Sequence, residues 1–379
     1  MPVTGLRWIL RRRVDHSSLR RPGPSKLFKA SRSGSSISII HMTLTYFILF
    51  IVLFAAEVLY FKIADHYKIV DKPNVRSSHT KNVRRGGGVI FPLSIIAWGV
   101  MLLLQGEGQA VLGYWPFFVG LLMLAVVSFW DDIHSLSDMV RLVVQLVAIL
   151  LMFGCLGILR WELWWFVPIA LIVYGGALNI INFMDGINGI TVGYALVVLV
   201  TLALLNAHLA FIEASYLFVA MLGALVFGFF NFRPKGKARC FAGDVGSIGM
   251  AFILLFPLGK LIVQTWDVTY LILLIMYGVD GYLTIVHRIM LREPLGQAHR
   301  KHAYQIMVNE LKMSHVTVSC IYMVVQLAIS LGFIYLCPDT LLAHWIYLIV
   351  AGVVLSLAYV LFMKKYYHLH EEYLKSLEK

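Results

Sequence analysis

Eleven stretches of roughly twenty apolar residues recur along this chain, and no other feature limits its fold so tightly. They run approximately over 43–62, 87–104, 111–130, 139–158, 163–181, 190–207, 209–230, 247–266, 268–287, 315–336 and 340–363. A helix of ~20 apolar residues spans the ~30 Å hydrocarbon core of a bilayer, because it satisfies every backbone N–H and C=O internally. Charged residues make up only 14% of the chain, where a soluble domain carries about 25%. A buried soluble core would need a very large fold whose helices have almost no polar face. The expected fold class is therefore an all-α polytopic membrane protein of about 11 transmembrane helices, forming one domain over 42–379.

The formal net charge of +12 follows the membrane and does not mark a nucleic-acid partner. If the first helix starts outside, alternate loops hold Lys68, Lys72, Arg76, Lys81, Arg84, Arg85, Arg141, Arg233, Lys235, Lys237 and Arg239. They also hold Arg288, Arg292, Arg300, Lys301, Lys312, Lys364 and Lys365. The other side keeps only Arg160, while Lys260 sits within a helix. This positive-inside asymmetry predicts the N-terminus outside and the C-terminus in the cytosol. Cys155, Cys240, Cys320 and Cys337 show neither metal spacing nor a disulfide framework, and are read as packing residues.

Residues 1–41 oppose that rule, with nine Lys or Arg against one acidic residue. The segment reads as a cleaved targeting peptide, as an interfacial basic arm, or as sequence upstream of a true start at Met42. The last reading is preferred, because the remaining loops then obey the charge rule throughout.

Polar residues gather in the loops predicted to be cytosolic. Ionisable groups at membrane depth are costly and usually functional, so their convergence on one face predicts a single site. Arg84-Arg85-Gly86-Gly87-Gly88 opens the second span, where cations and close-approaching backbone suit an anion. The plainer alternative is a flexible basic flank. Asp131 and Asp132 close the third span, and adjacent carboxylates repel unless a cation or proton is shared. Such oxygen-rich sites suit Mg²⁺, whereas a solvated helix cap is the alternative. Arg141 lies nine residues on and would return to the same face. Asn179, Asn182 and Asp185 recur every three residues and are expected on one helix face, with Asn188-Gly189 turning the chain back. Asp244 lies between glycines at the start of the eighth span, where it could still hold a metal. His299-Arg300-Lys301-His302 suits phosphate binding or proton transfer, and no third ligand supports zinc. Asp280, within the ninth span, has no assignment.

Together these motifs resemble the polyprenyl-phosphate N-acetylhexosamine-1-phosphate transferases, the family of WecA and MraY. The resemblance is carried by the arginine–glycine loop, FWDD at 129–132, NFMDGING at 182–189, FAGDVGS at 241–247 and HRKHAYQ at 299–305, in the family's order. The last motif looks most like the branch that starts O-antigen or capsule glycans. The resemblance implies UDP-N-acetylhexosamine and undecaprenyl phosphate as substrates, Mg²⁺ (or Mn²⁺) as cofactor, a homodimer, and a bacterial plasma membrane with the site on the cytosolic face. It further implies Asp244 and Asn182 as metal ligands, and Asp131 and Asp132 at the lipid phosphate. Asn188 resembles the uracil-contacting position, and Arg85 and Arg141 are expected at phosphates. Arg300, His299 and His302 would grip phosphate or sugar, while Asp185 binds substrate or holds its loop. The peptidoglycan branch has a lysine three residues after its aspartate pair, where this chain has Ser135.

Phosphoryl transfer depends on positioning and charge stabilisation, so attack of the lipid phosphate on the β-phosphorus by direct in-line displacement is expected. Two rival classes differ in their requirements. A transporter or flippase would place its polar groups near the bilayer midplane. An intramembrane aspartyl protease built on Asp244 and Asp280 would need those two groups face to face, without a metal.

Overall fold

The computed structural model describes residues 32–71, 82–294 and 299–377. The basic segment 1–41 lies largely outside these residues, as do Arg76 and the rest of 72–81. The chain divides into two compact units, Met1–Phe47 and Ile48–Lys379, and the site lies in the second.

The described helices are α1 (Arg32–His66), α2 (Ile90–Leu104), α3 (Gly108–Gly113), α4 (Trp115–Ile133), α5 (Asp138–Leu156), α6 (Phe166–Phe183), α7 (Ile190–Leu209), α8 (Ala214–Asn231), α9 (Gly243–Thr265), α10 (Ile275–Met290), α11 (Ala303–Asn309), α12 (His315–Tyr335) and α13 (Leu341–Leu377). Among the described residues, eleven helical segments are long and apolar enough to cross a membrane. The protein is an all-α polytopic membrane protein, as its hydropathy predicts. Start signals are local: Ser137 accepts from Val140 N–H and Ser314 from Thr317 N–H, each a side-chain cap for orphan donors.

Helix α9 is the central post, packed against α2, α4, α5, α6 and α7. In its most hydropathic window 89% is buried, against 6% for α13, which faces outward along most of its length. The ninth span begins as a 3₁₀ segment, Val268–Leu274, before α10. Two two-residue strands, β1 (Val70–Asp71) and β2 (Val83–Arg84), pair antiparallel. Beyond β2 the chain runs beside 239–242, with Gly87 N–H on Phe241 C=O (2.9 Å) and Gly88 N–H on Ala242 C=O (3.1 Å).

Contacts between elements gather the C-terminal ends of α4, α6 and α8 and the Asp280 level of α10 with the N-terminal ends of α2, α7, α9, α11 and α12 at one end of the bundle. Away from it, Trp161, Trp164, Trp165 and Trp266 are exposed, as in an interfacial aromatic belt. Lys260, a cation within a span, lies over the Tyr114 and Phe256 rings at 5.2 and 5.6 Å.

Candidate functional site

Asp132, in the last turn of α4, organises the centre. Its side chain is fully enclosed and takes Arg85 Nε at 2.7 Å on Oδ1. Asp244 N–H donates to Oδ1 (2.9 Å) and Val245 N–H to Oδ2 (3.1 Å). The first N–H groups of a helix have no partner within it, and its N-terminus is positive. A carboxylate from α4 therefore caps α9. Gly243 makes this approach possible: its φ is +70°, and a Cβ there would lie 2.5 Å from Asp132 Oδ2.

Arg85 also reaches Asp244 Oδ2 at 3.7 Å, so one guanidinium spans both carboxylates. Burial works against its charge, but Asp132, Asp244 and Asp71 more than offset that and hold its pKa above the ordinary value. Asp131 points the other way. Its Oδ1 accepts from Leu136 N–H (2.5 Å) and its Oδ2 takes Arg141 Nη1 at 3.0 Å. Arg141 pairs with Asp138 as well. The Asp131 and Asp244 carboxyls lie within interaction range of each other, an arrangement that calls for a shared cation or proton.

The motif at the end of α6 splits in a way its spacing does not predict. Asn179 donates to Gln145 Oε1 (2.9 Å), whereas Asn182 Oδ1 accepts from Ser247 Oγ (2.5 Å) at the start of α9. Asp185 is not on the helix at all, because α6 ends at Phe183 and Met184 is its C-cap. The three-residue period therefore breaks before its third member. Thr191 Oγ1 donates to Asp185 at 2.5 Å. Burial pushes Asp185 up to about 6; Thr191 and Arg85 oppose the shift and Asp132 adds to it. Asn188 is buried, and its amide donates to the Arg233 and Pro234 carbonyls (2.9 and 3.1 Å). Its N–H meets His315 Nδ1 at 3.1 Å, and its C=O accepts from Ser319 Oγ at 3.0 Å. In this structure Asn188 fastens the 231–234 turn to α12.

The histidine motif lies across the 183–189 turn. Tyr304 O–H donates to Phe183 C=O at 3.0 Å, and the His299 and Phe183 rings are 6.4 Å apart. Burial, followed by His302, Arg288 and Lys301, lowers His299 to about 3, so the ring is neutral at neutral pH. His302 faces Asp280 at 3.3 Å. Arg300 turns towards Glu310 (2.8 Å) and stacks over Tyr373 at 4.3 Å, while Lys301 and Arg288 pair with Glu293.

Arg85, Asp131, Asp132, Arg141 and Asp244 thus form one cluster, with Asn182 and Asp185 beside it. His299 and His302 adjoin the same turn, while Arg300 and Asn188 are engaged away from the carboxylates. The sequence reading missed Ser247, Thr191, Tyr304 and Glu310 as partners. Ser247 and Tyr304 stand inside the recognised motifs, so their signal was present; Glu310 carried none.

Residues 114–258 match the family described as Glycosyl transferase family 4. The chain is 26% identical to a Bacillus subtilis protein named "Probable undecaprenyl-phosphate N-acetylglucosaminyl 1-phosphate transferase", over 69% of this chain and 76% of that one. It is 28% identical to proteins named "Phospho-N-acetylmuramoyl-pentapeptide-transferase" from Halalkalibacterium halodurans and Heliobacterium modesticaldum. These matches cover 43% and 40% of this chain, and about half of each relative's length (52% and 56%). The match over 114–258 contains the aspartate pair, the 182–189 turn and Asp244, the residues that meet around Arg85, so the likeness to Glycosyl transferase family 4 and to these WecA- and MraY-type transferases covers the cluster itself.

Proposed function

We propose that this protein transfers an N-acetylhexosamine-1-phosphate from a UDP-sugar to undecaprenyl phosphate. The products are a polyprenyl-diphospho-sugar and UMP, and the product starts a cell-surface glycan such as an O-antigen or capsule. The observation that carries this reading is the cluster in which Arg85 bridges Asp132 and Asp244 beside the Asp131–Arg141 pair. It joins oxygen donors to cations at the ends of helices, where a lipid phosphate rests at the interface and its tail stays in the bilayer.

The residues fit a magnesium ion. Asp244, Asn182 and Asp131 offer hard oxygens, and the facing Asp131 and Asp244 carboxyls call for a cation between them. Among the described residues no three His, Cys, Asp or Glu side chains converge as a complete ligand set. Mg²⁺ needs only one or two protein carboxylates and keeps waters and substrate phosphates in its shell. Bound there, Mg²⁺ (or Mn²⁺) would neutralise charge on the diphosphate and polarise the phosphorus.

The protein's own groups do the rest. Arg85 and Arg141, each about one-third exposed, are placed to hold phosphoryl oxygens. Asp132, fully enclosed, keeps Arg85 and the start of α9 in register. Asp185 and the 183–189 turn shape the wall between the carboxylates and His302. With both phosphates held, the lipid phosphate oxygen attacks the β-phosphorus in line, and positioning supplies most of the rate gain. The Lys and Arg asymmetry supports a cytosolic site in a bacterial plasma membrane, where UDP-sugars are made.

The test is transfer of label from radiolabelled UDP-N-acetylhexosamines to undecaprenyl phosphate in detergent, with Mg²⁺, with EDTA and with Asp244→Asn. Metal-dependent lipid-linked label, lost in the variant, is expected and would name the sugar. Folded wild-type protein that labels no lipid with any donor would overturn the proposal.

A further inference from the structure

Asp280 is buried within α10, and its carboxylate faces four donors. Oδ1 lies 3.1 Å from Ala303 N–H, 3.2 Å from Thr284 Oγ1 and 3.3 Å from His302 Nδ1, while Tyr322 O–H donates to Oδ2 at 2.5 Å. Every one of these neighbours is a donor or can act as one, so the side chain serves as an acceptor throughout. A favourable contact with His302 Nδ1 therefore requires the hydrogen to sit on that nitrogen. Ala303 N–H is bound by the same oxygen, so the backbone after the ring is fixed along with the ring.

The other ring nitrogen is in the opposite condition. His302 Nε2 is buried and has no hydrogen-bond partner among the described residues. Leaving a buried polar atom without a hydrogen bond is costly, and native structures rarely accept that without a ligand or water. The ring is held in place: it stacks on Tyr304 with centroids 5.6 Å apart and lies 5.0 Å from the His299 ring. Tyr304 is tied to Phe183 C=O, so the same rigid piece borders the turn that carries Asp185.

We propose that Asp280 is a positioning residue, which fixes the Nδ1–H tautomer of His302 and thereby presents Nε2 to a substrate phosphoryl oxygen. This inference rests on the transferase reading. A hydrogen bond between Nε2 and the phosphate then has one hydrogen, which is either donated by the phosphate hydroxyl or retained on the imidazolium that Asp280 stabilises. Lengthening or neutralising the Asp280 side chain would leave His302 present but wrongly protonated or turned. A buried carboxylate that sets an imidazole's tautomer is worth about 10⁴-fold in a serine protease triad, and a phosphate contact at a partly open site should be worth less.

The test uses the full-length protein in detergent and compares Asp280→Asn, His302→Gln and the double variant. Asp280→Asn keeps the volume but turns an acceptor into a donor opposite Nδ1. We expect kcat lower by about 10²–10³-fold with KM for the UDP-sugar within about threefold, and the double variant no slower than His302→Gln alone. Wild-type kcat in Asp280→Asn, or losses that multiply in the double variant, would overturn the inference while the transferase reading stood. If Asp280→Asn does not fold, ¹⁵N-histidine NMR of the wild-type protein decides, with His302→Gln giving the assignment. A hydrogen on Nδ1 is expected, and the Nε2–H tautomer would overturn the inference. Wild-type protein that transfers no sugar phosphate would instead overturn the function on which the inference rests.

Discussion

Single residues set the closest tolerances where α2 and α9 begin. A Cβ on Gly88 would lie 2.3 Å from Gly246 Cα and 2.8 Å from Ala242 C=O, and backbone cannot move aside as a side chain would. Gly88→Ala should therefore cost about 1–3 kcal/mol as overpacking, and its melting temperature should fall. Gly113→Ala, which meets nothing within 4 Å, should leave melting unchanged. Asp185 makes a prediction of the opposite sign. Its pKa of about 6 lies above the ordinary aspartate value of about 3.9. Between those values the folded chain binds more protons than the unfolded one, so stability declines as pH rises through that window. Asp185→Asn should flatten this decline and melt higher than wild type at pH 7, while sugar-phosphate transfer is lost. Thermal melts at pH 4.5 and pH 7 check the first statement, and the lipid-labelling assay checks the second. Most of the site was legible at this scale, because Arg85, Asp131, Asp132 and Asp244 stand in short motifs whose charges make no sense in lipid. Asp280 was not: its partners His302 and Tyr322 lie 22 and 42 positions away, and no local pattern joins them.

The spans themselves were legible to within a few residues, since hydropathy reads the environment that decides them. The errors fall where polar residues continue a helix. The apolar run of the last span stops before Lys364-Lys365, yet α13 continues to Leu377, giving a 37-residue helix about 55 Å long. The face that leads into this continuation packs on α11: Tyr359 and Met363 meet Ala303 and Ile306, and Tyr366 and Tyr367 of the continuation pack alongside. Further on, His370 Nδ1 reaches Glu310 at 3.0 Å, and Glu310 also holds Arg300. Burial pushes the Glu310 pKa up, but the hydrogen bonds from His370 and Arg300 outweigh it and hold the group below its ordinary value. Its contribution to stability is therefore present above the ordinary glutamate range and lost as pH falls through and below it. Since α13 braces the histidine motif from outside, His370→Ala should loosen Arg300 without touching the carboxylates. The expected result is a KM for the UDP-sugar raised by about three- to tenfold, with kcat close to wild type. A fall in kcat with KM unchanged would mean that α13 governs the chemical step instead.

For the whole molecule the decisive quantity is which side of the membrane the cluster occupies. The described contacts bring Arg85, Asp131, Asp132, Asn182, Asp244 and His302 to one end of the bundle, but a bundle has the same internal contacts in either orientation. Orientation comes from charge. Arg84, Arg233, Lys235, Lys237, Arg239 and Lys312 flank helix ends on the cluster's side, whereas Arg160 flanks the tryptophan-rich end. Lys and Arg are retained on the cytosolic side during insertion, and the donor in the proposed reaction is a charged nucleotide sugar that does not cross lipid. Both arguments make a cytosolic cluster the expected arrangement. Arg160→Cys and Lys235→Cys, introduced singly and compared with the wild-type background from the four native cysteines, make this measurable in intact cells. A membrane-impermeant maleimide should label Arg160→Cys from outside, and should label Lys235→Cys only after the membrane is opened. The reverse pattern would put the carboxylates on the face where no UDP-sugar is supplied, and transfer from a nucleotide donor could not be the protein's activity.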